Sequence, residues 1–133
     1  MSTIHHFIGD KNNFNWEDVD LKVFDGTDGS KYASRRILIT EEREGAKYFV
    51  FRYFRIMPGG NSTMFDKHAH DHGVLILHGH CTVVINNQEF HAGPMDVIYI
   101  SPEDVHHFIV EGDEPLGFLC VIPNKKLLPK LVE

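Results

Sequence analysis

A chain of 133 residues is long enough for one hydrophobic core and too short for two ordinary domains. A formal charge of −6, without a strong cluster of lysine and arginine, disfavours nucleic acid as a partner. The composition, 42% hydrophobic and 24% charged, is that of a globular protein, and the apolar runs are too short to span a bilayer. We therefore expect one water-soluble domain with neither nucleic-acid nor membrane partners.

The first 35 residues are polar and weakly patterned, and we predict an N-terminal arm over 1–35 that holds one helical turn or an edge strand. The opening "MSTIHHFIGD" lacks the basic and then apolar order of a secretory signal. Cys81 and Cys120 are too few and too far apart for a disulfide framework or a paired-cysteine metal clip. These features indicate free thiols and a cytoplasmic location.

The remainder of the chain, 36–133, is predicted to be a β domain. A first strand, "RRILIT", is followed by the runs "YFVFRYFRIM", "GVLIL", "CTVVI", "DVIYI", "HHFIV" and "LGFLCVIP". Glycine, proline, asparagine and aspartate separate these runs, which is typical of an all-β sandwich or barrel. The stretch "INNQ" predicts a tight hairpin, because asparagine tolerates a positive φ angle.

The run "YFVFRYF" has aromatic residues on both faces of a predicted strand. A strand that is apolar on both faces must be buried on both, and the edge strands of a small barrel also need cover. We therefore predict a homodimer.

The stretch "FDKHAHDHG" concentrates histidines at alternate positions. Asp66, His68, His70 and His72 have the same parity, so they would share one face of an extended strand. A turn at 69–71 would leave Asp66 and His68 at the end of one strand and His72 at the start of the next, facing the same interior. Taken alone, the cluster fits a metal site or a solvated hairpin tip.

A second histidine pair follows the proline-containing loop "SPEDV". His106 opens a predicted strand there and could approach the first cluster, whereas His107 has the opposite parity and should point away. His78 and His80 flank Gly79 at a predicted turn and are expected to face solvent.

The two histidine segments resemble the two signature motifs of the cupins. The first match runs through Gly60, Asp66, His68, His72 and Gly79 without a gap in spacing. Asp66 stands where the first motif histidine is usual, and His72 stands where a glutamate is usual. The second match runs through Gly93, Asp96, Pro102 and His106. The resemblance covers residues 45–123 and implies a double-stranded β-helix, the cupin or jelly-roll barrel, with one metal ion at its mouth.

The ligand set implied by the resemblance depends on the register of the first motif. His68, His72 and His106 are ligands in either register. The ungapped register adds Asp66 as the fourth ligand, and a gapped register adds His70. Imidazole ligands suit Mn, Fe, Co, Ni, Cu or Zn, and they do not suit Ca or Mg.

Such a site predicts a small-molecule partner with an oxygen-rich end, beside an apolar wall expected from Val74, Ile76, Phe108 and Phe118. The simplest enzymatic interpretation is a metal-dependent oxidoreductase of dioxygenase type. The same site could serve an isomerase or lyase that uses the metal as a Lewis acid, or a non-catalytic module that binds a ligand or the metal. Cys120 is expected either in the core or on the pocket wall.

Overall fold

The computed structural model describes residues 2–64 and 66–128, and this part of the chain is nearly all β-structure. Nine strands lie within it: β1 Leu21–Val23, β2 Lys31–Ile39, β3 Phe49–Asn61, β4 His72–His78, β5 His80–Ile85, β6 Gln88–Ala92, β7 Val97–Ile100, β8 His106–Glu111 and β9 Leu116–Pro123. The short helix α1 spans Glu41–Glu44, and a 3₁₀ turn spans Lys125–Leu127. No helix in these two ranges is long and apolar enough to cross a membrane.

The strands form one curled antiparallel sheet in the order β6-β5-β8-β3-β9-β4-β7, with β2 also paired to β3 and β1 to β2. The curled sheet has two layers, β6-β5-β8 and β9-β4-β7, and β3 lies between them in the strand order. Most of β3 pairs with β2 and β9, while its last residue, Asn61, pairs with Ile109 of β8. The all-β double-stranded β-helix expected from the resemblance is confirmed.

The core lies between the two layers. Phe118 of β9 stacks on Phe54 of β3 at a ring-centroid distance of 5.2 Å and on Phe108 of β8 at 4.6 Å. Ile56 and Ile76 extend this core and are completely buried. The aromatic stack spans the barrel interior, so the open end of the barrel is left for other side chains.

Two tight turns follow directly from residue type. Asn86 and Asn87, between β5 and β6, have φ angles of 49° and 68°, as the hairpin prediction required. Gly79, between β4 and β5, has a φ angle of 77°, and a Cβ atom there would lie 2.3 Å from the Pro115 carbonyl oxygen. The second turn therefore requires glycine on both conformational and steric grounds.

The N-terminal segment covers the outer face of β3. Tyr53 is 1% exposed, and its ring lies 5.7 Å from that of Phe14 and 5.1 Å from that of Trp16. The outer aromatic face of β3 is thus buried within the chain at this point. The predicted edge strand is present as β1, whereas the division into an arm over 1–35 and a barrel over 36–133 stays a prediction, since residue 35 lies inside β2.

Candidate metal centre

A backbone bridge brings the two histidine segments together. The Asp66 amide donates to the His106 carbonyl oxygen at 3.0 Å, and the His106 amide donates to the Asp66 carbonyl oxygen at 2.8 Å. His106 begins β8, and His72 begins β4 after the connection that carries His68. The ends of separate strands therefore meet at one edge of the barrel.

Three imidazoles converge at this edge. His68, His72 and His106 each offer a ligand nitrogen, and these nitrogens all lie within 4.8 Å of one another. His72 and His106 are buried, whereas His68 is partly exposed. The three histidines are placed to bind a metal ion, with His68 on the solvent side.

The protonation state and orientation of these imidazoles fit a metal ion. The Nε2 atom of His72 is buried and has no hydrogen-bond partner among the described residues. Burial, reinforced by the neighbouring His106, lowers the pKa of His72 to about 3, so its ring is neutral near pH 7. The Nδ1 atom of His106 lies 2.9 Å from the Asp104 carbonyl oxygen. When Nδ1 donates its proton to that oxygen in a hydrogen bond, Nε2 carries the free lone pair that a metal ion needs.

Asp66 lies beside two of the three imidazoles. Its Oδ1 atom is 2.9 Å from Nε2 of His68, and its Oδ2 atom is 3.8 Å from Nε2 of His106. Burial on its own would raise the pKa of Asp66, but the hydrogen bond from His68 and the nearby His68 and His106 lower it overall. A carboxylate ion therefore faces the histidine group.

His70 is packed differently from the other histidines of its segment. Its side chain is buried, and its ring stacks on those of His68 and His72 at centroid distances of 4.7 Å and 4.9 Å. Its Nδ1 atom lies 3.1 Å from the Asp71 carbonyl oxygen. Burial lowers the pKa of His70 as well. The choice between Asp66 and His70 as a fourth ligand stays a prediction.

A small cavity of about 60 Å³ extends from the histidines into the barrel. Its wall includes Phe108, Phe118 and Cys120. Val74 and Ile76, which the sequence placed on this wall, belong to the buried core. Because the cavity is small, we expect it to receive one end of a ligand, with the rest in the open mouth. A larger depression of about 720 Å³ lies elsewhere, under the N-terminal segment, and His5 is the one histidine on its wall among the described residues.

The expectation that His78 faces solvent is wrong. Its Nε2 atom lies 2.6 Å from the Tyr53 hydroxyl oxygen, and its Nδ1 atom lies 2.9 Å from the Pro115 carbonyl oxygen. His80 is exposed, as expected. Sequence analysis did not single out Arg35 and Arg52, two half-buried side chains that pack against residues of the cavity wall. The apolar residues that alternate with them were the available signal.

Replacing His106 by alanine should remove a buried ligand while leaving the sheet intact. Loss of an outer-shell partner of a metal ligand typically weakens binding by about 10- to 100-fold, so loss of the ligand should weaken it by at least about 100-fold. Elemental analysis after equilibration with Zn²⁺ would measure this. His91→Ala, at an exposed position outside the group, is the matched control and should retain full metal content. Equal metal content in both variants would contradict the site.

Metal affinity should also fall as the solution is acidified from about pH 7 to pH 5, because protons compete with the metal for imidazole. The lowered pKa of His72 keeps this ligand neutral through that range. The slope of log affinity against pH should therefore stay below three, although three histidines form the group. Titrations of Zn²⁺ at several pH values measure this slope. A slope of three or more would refute the buried, neutral state of His72, and a flat profile would refute histidine ligation.

Comparison with known proteins agrees with this architecture. The family model for the Cupin_2 domain matches residues 52–122. The 1-methylthio-D-xylulose 5-phosphate methylsulfurylase of Rhodospirillum rubrum is 31% identical over 120 residues, which cover 89% of this chain and 74% of that protein.

Solved structures give the same result. A cupin-2 domain protein of Rhodospirillum rubrum superposes with a TM-score of 0.76 at 31% identity, covering 85% of this chain and 74% of the other. The polyketide cyclase RemF of Streptomyces resistomycificus superposes with a TM-score of 0.71 at 27% identity, covering 80% and 74% respectively. With its barrel, its histidine group and these similarities, the chain belongs to the cupin family.

Proposed function

We propose that this cupin is a metal-dependent enzyme that acts on a small organic molecule through an oxygen atom of that molecule. The observation that carries the proposal is the convergence of His68, His72 and His106, of which His72 and His106 line a small cavity. A metal ion held by these three histidines would keep coordination positions free for oxygen atoms of a substrate.

The protein groups at the site favour the binding of one end of a substrate. A divalent ion held there supplies a Lewis acid that polarises a carbonyl or hydroxyl oxygen. Phe108 and Phe118 line the cavity and give it an apolar wall. The Cys120 thiol also lines the cavity; burial raises its pKa, which keeps it protonated near neutral pH.

Asp66 is the fourth ligand that we infer. Its carboxylate lies beside His68 and His106, and the backbone bridge to His106 holds it in place. The ring of His70 instead stacks on the rings of two of the ligands, at centroid distances of 4.7 Å from His68 and 4.9 Å from His72. His70 would then act by holding the rings of His68 and His72 in orientation.

We place Lewis-acid chemistry of isomerase or lyase type ahead of the dioxygenase chemistry expected from the sequence. The support comes from the relatives: the names of the methylsulfurylase and the polyketide cyclase describe conversions of a sugar phosphate derivative and of a polyketide. Neither name refers to oxygenation. The imidazole donors suit Mn, Fe, Co, Ni, Cu or Zn.

The distinguishing experiment compares conversion of candidate substrates in air and under nitrogen, using protein loaded separately with Mn²⁺, Fe²⁺ and Zn²⁺. Hydroxyketones and their phosphate esters are the candidate substrates for Lewis-acid catalysis. Catechols and diketones are the candidate substrates for a dioxygenase. We expect metal-dependent conversion of a hydroxyketone at the same rate in both atmospheres, absent from His106→Ala and present in His91→Ala. Substrate-dependent O₂ uptake would establish the dioxygenase instead. Ligand binding without conversion in either atmosphere would refute the enzyme and leave a binding module.

We also propose a homodimer formed through the edges of the sheet. Phe90 of β6 and Val97 and Tyr99 of β7 are 49%, 78% and 62% exposed, and they line one common depression. β6 and β7 are the end strands of the sheet, so a second copy would cover apolar surface and open edges together. Sedimentation should give a dimer for the parent and a monomer for Val97→Lys; a parent that sediments as a monomer at micromolar concentration contradicts the proposed homodimer.

A cytoplasmic location, inferred from the sequence, fits the two buried free thiols Cys81 and Cys120.

A further inference from the structure

Three cationic side chains lie next to one another on the inner face of the sheet. Lys22 of β1 pairs with Arg35 of β2, and Arg35 pairs with Phe54 of β3. Arg52 precedes Phe54 by two residues, so it shares this face of β3. Adjacent like charges on one face of a sheet are destabilising, and such an arrangement calls for a compensating group.

The two arginines are held against the wall of the cavity that begins at the histidines. The Arg35 guanidinium lies 5.6 Å from the ring centroid of Phe24, and that of Arg52 lies 4.9 Å from Phe54. Arg52 also donates a hydrogen bond to the Cys120 sulfur at 3.0 Å. Phe24, Phe54 and Cys120 all line the cavity together with His72 and His106. The two arginines therefore pack against side chains of the cavity that His72 and His106 also line.

Among the residues that the structure describes, neither guanidinium has a carboxylate partner. Across residues 2–64 and 66–128, no ion pair joins Arg35 or Arg52 to an acidic side chain. The Nε atoms of both arginines are buried and have no hydrogen-bond partner in the same ranges. Asp20 and Glu42 line the surface depression, but the cations among its described lining residues, Lys22, Arg35 and Arg43, outnumber these two carboxylates.

The charge balance at this end of the barrel is therefore positive. Burial, with the nearby Arg52, lowers the pKa of Arg35 from its usual range, yet an arginine stays charged at neutral pH. Asp66 is the carboxylate that lines the cavity, and a bound divalent ion would add further positive charge. Buried charges that lack partners are strongly unfavourable, whereas paired N–H donors on arginine match the oxygens of carboxylate and phosphate.

We propose that Arg35 and Arg52, with Lys22 at the rim, bind an oxyanion group of the substrate, either a carboxylate or a phosphate monoester. The oxygen that the substrate presents to the histidines would enter the cavity of about 60 Å³, and its anionic end would lie toward the depression of about 370 Å³ that Lys22 and Arg35 line. This inference deepens the proposed function and rests on it, because it assigns the substrate class of the same site. The competing interpretation is that the arginines only cover aromatic faces with their apolar stems.

The test measures anion binding rather than activity. Zinc-loaded protein is titrated calorimetrically with inorganic phosphate and, separately, with acetate. The variants are Arg35→Gln and Arg52→Gln, with Arg36→Gln as the matched control, since Arg36 is the next residue of β2 and pairs with Tyr53, whose ring packs on the outer face. Elemental analysis of each variant confirms equal zinc content.

We expect at least one anion to bind the parent, each inner-face variant to bind it about tenfold more weakly or worse, and Arg36→Gln to match the parent. Tighter binding of phosphate than of acetate identifies a phosphate monoester, and the reverse identifies a carboxylate. If neither anion binds the parent, if both inner-face variants bind as the parent does, or if Arg36→Gln weakens binding equally, the proposal is wrong.

Two further variants keep the result interpretable. If Arg52→Gln does not fold, Arg52→Lys replaces it, because it keeps the charge but loses the planar pair of donors; binding should then fall between that of the parent and Arg35→Gln, and parent-like binding in both would overturn the proposal. His106→Ala, depleted of metal, separates the two claims. Anion binding that persists there supports the arginine site even if the metal-dependent function fails. Zinc binding without arginine-dependent anion binding refutes the inference and leaves the metal centre standing.

Discussion

Two backbone hydrogen bonds between Asp66 and His106 determine where the imidazoles of this protein meet. They attach the connection between β3 and β4 to the start of β8, a strand that lies far from it in sequence. With that bridge formed, the ligand nitrogens of His68 and His72 lie within 4.8 Å of that of His106. The placement of the candidate ligands therefore depends on backbone pairing.

The same arrangement explains why the donor nitrogens are ready to bind. His72 is neutral because it is buried, and its Nε2 atom has no partner among the described residues. His106 is oriented because the Asp104 carbonyl oxygen accepts from its other nitrogen. The half-exposed His68 and the carboxylate of Asp66 lie toward solvent, where a substrate would arrive. Burial thus keeps the His72 ring unprotonated, while His68 and Asp66 stay accessible to solvent.

Much of the fold and of the histidine group could be predicted from local sequence. Alternation along strands and turn residues such as Asn86 and Asn87 depend on neighbours in the chain, and motif spacing placed His68, His72 and His106 together. The environment of His78 was mispredicted because its partners, Tyr53 of β3 and Pro115 just before β9, are distant in the sequence. The inner-face position of Arg35 was equally out of reach, because it follows from the register of β1, β2 and β3. Side-chain contacts that depend on the pairing register of distant strands cannot be predicted from any one sequence segment.

The central claim is that imidazoles of this group bind a transition metal ion. X-ray absorption spectroscopy of the zinc-loaded protein tests it most directly, since it reports the type and number of ligand atoms. The account predicts three imidazole nitrogens at about 2.0–2.1 Å together with oxygen ligands and no sulfur. A spectrum with one imidazole or none, or with a sulfur ligand at about 2.3 Å, would contradict it.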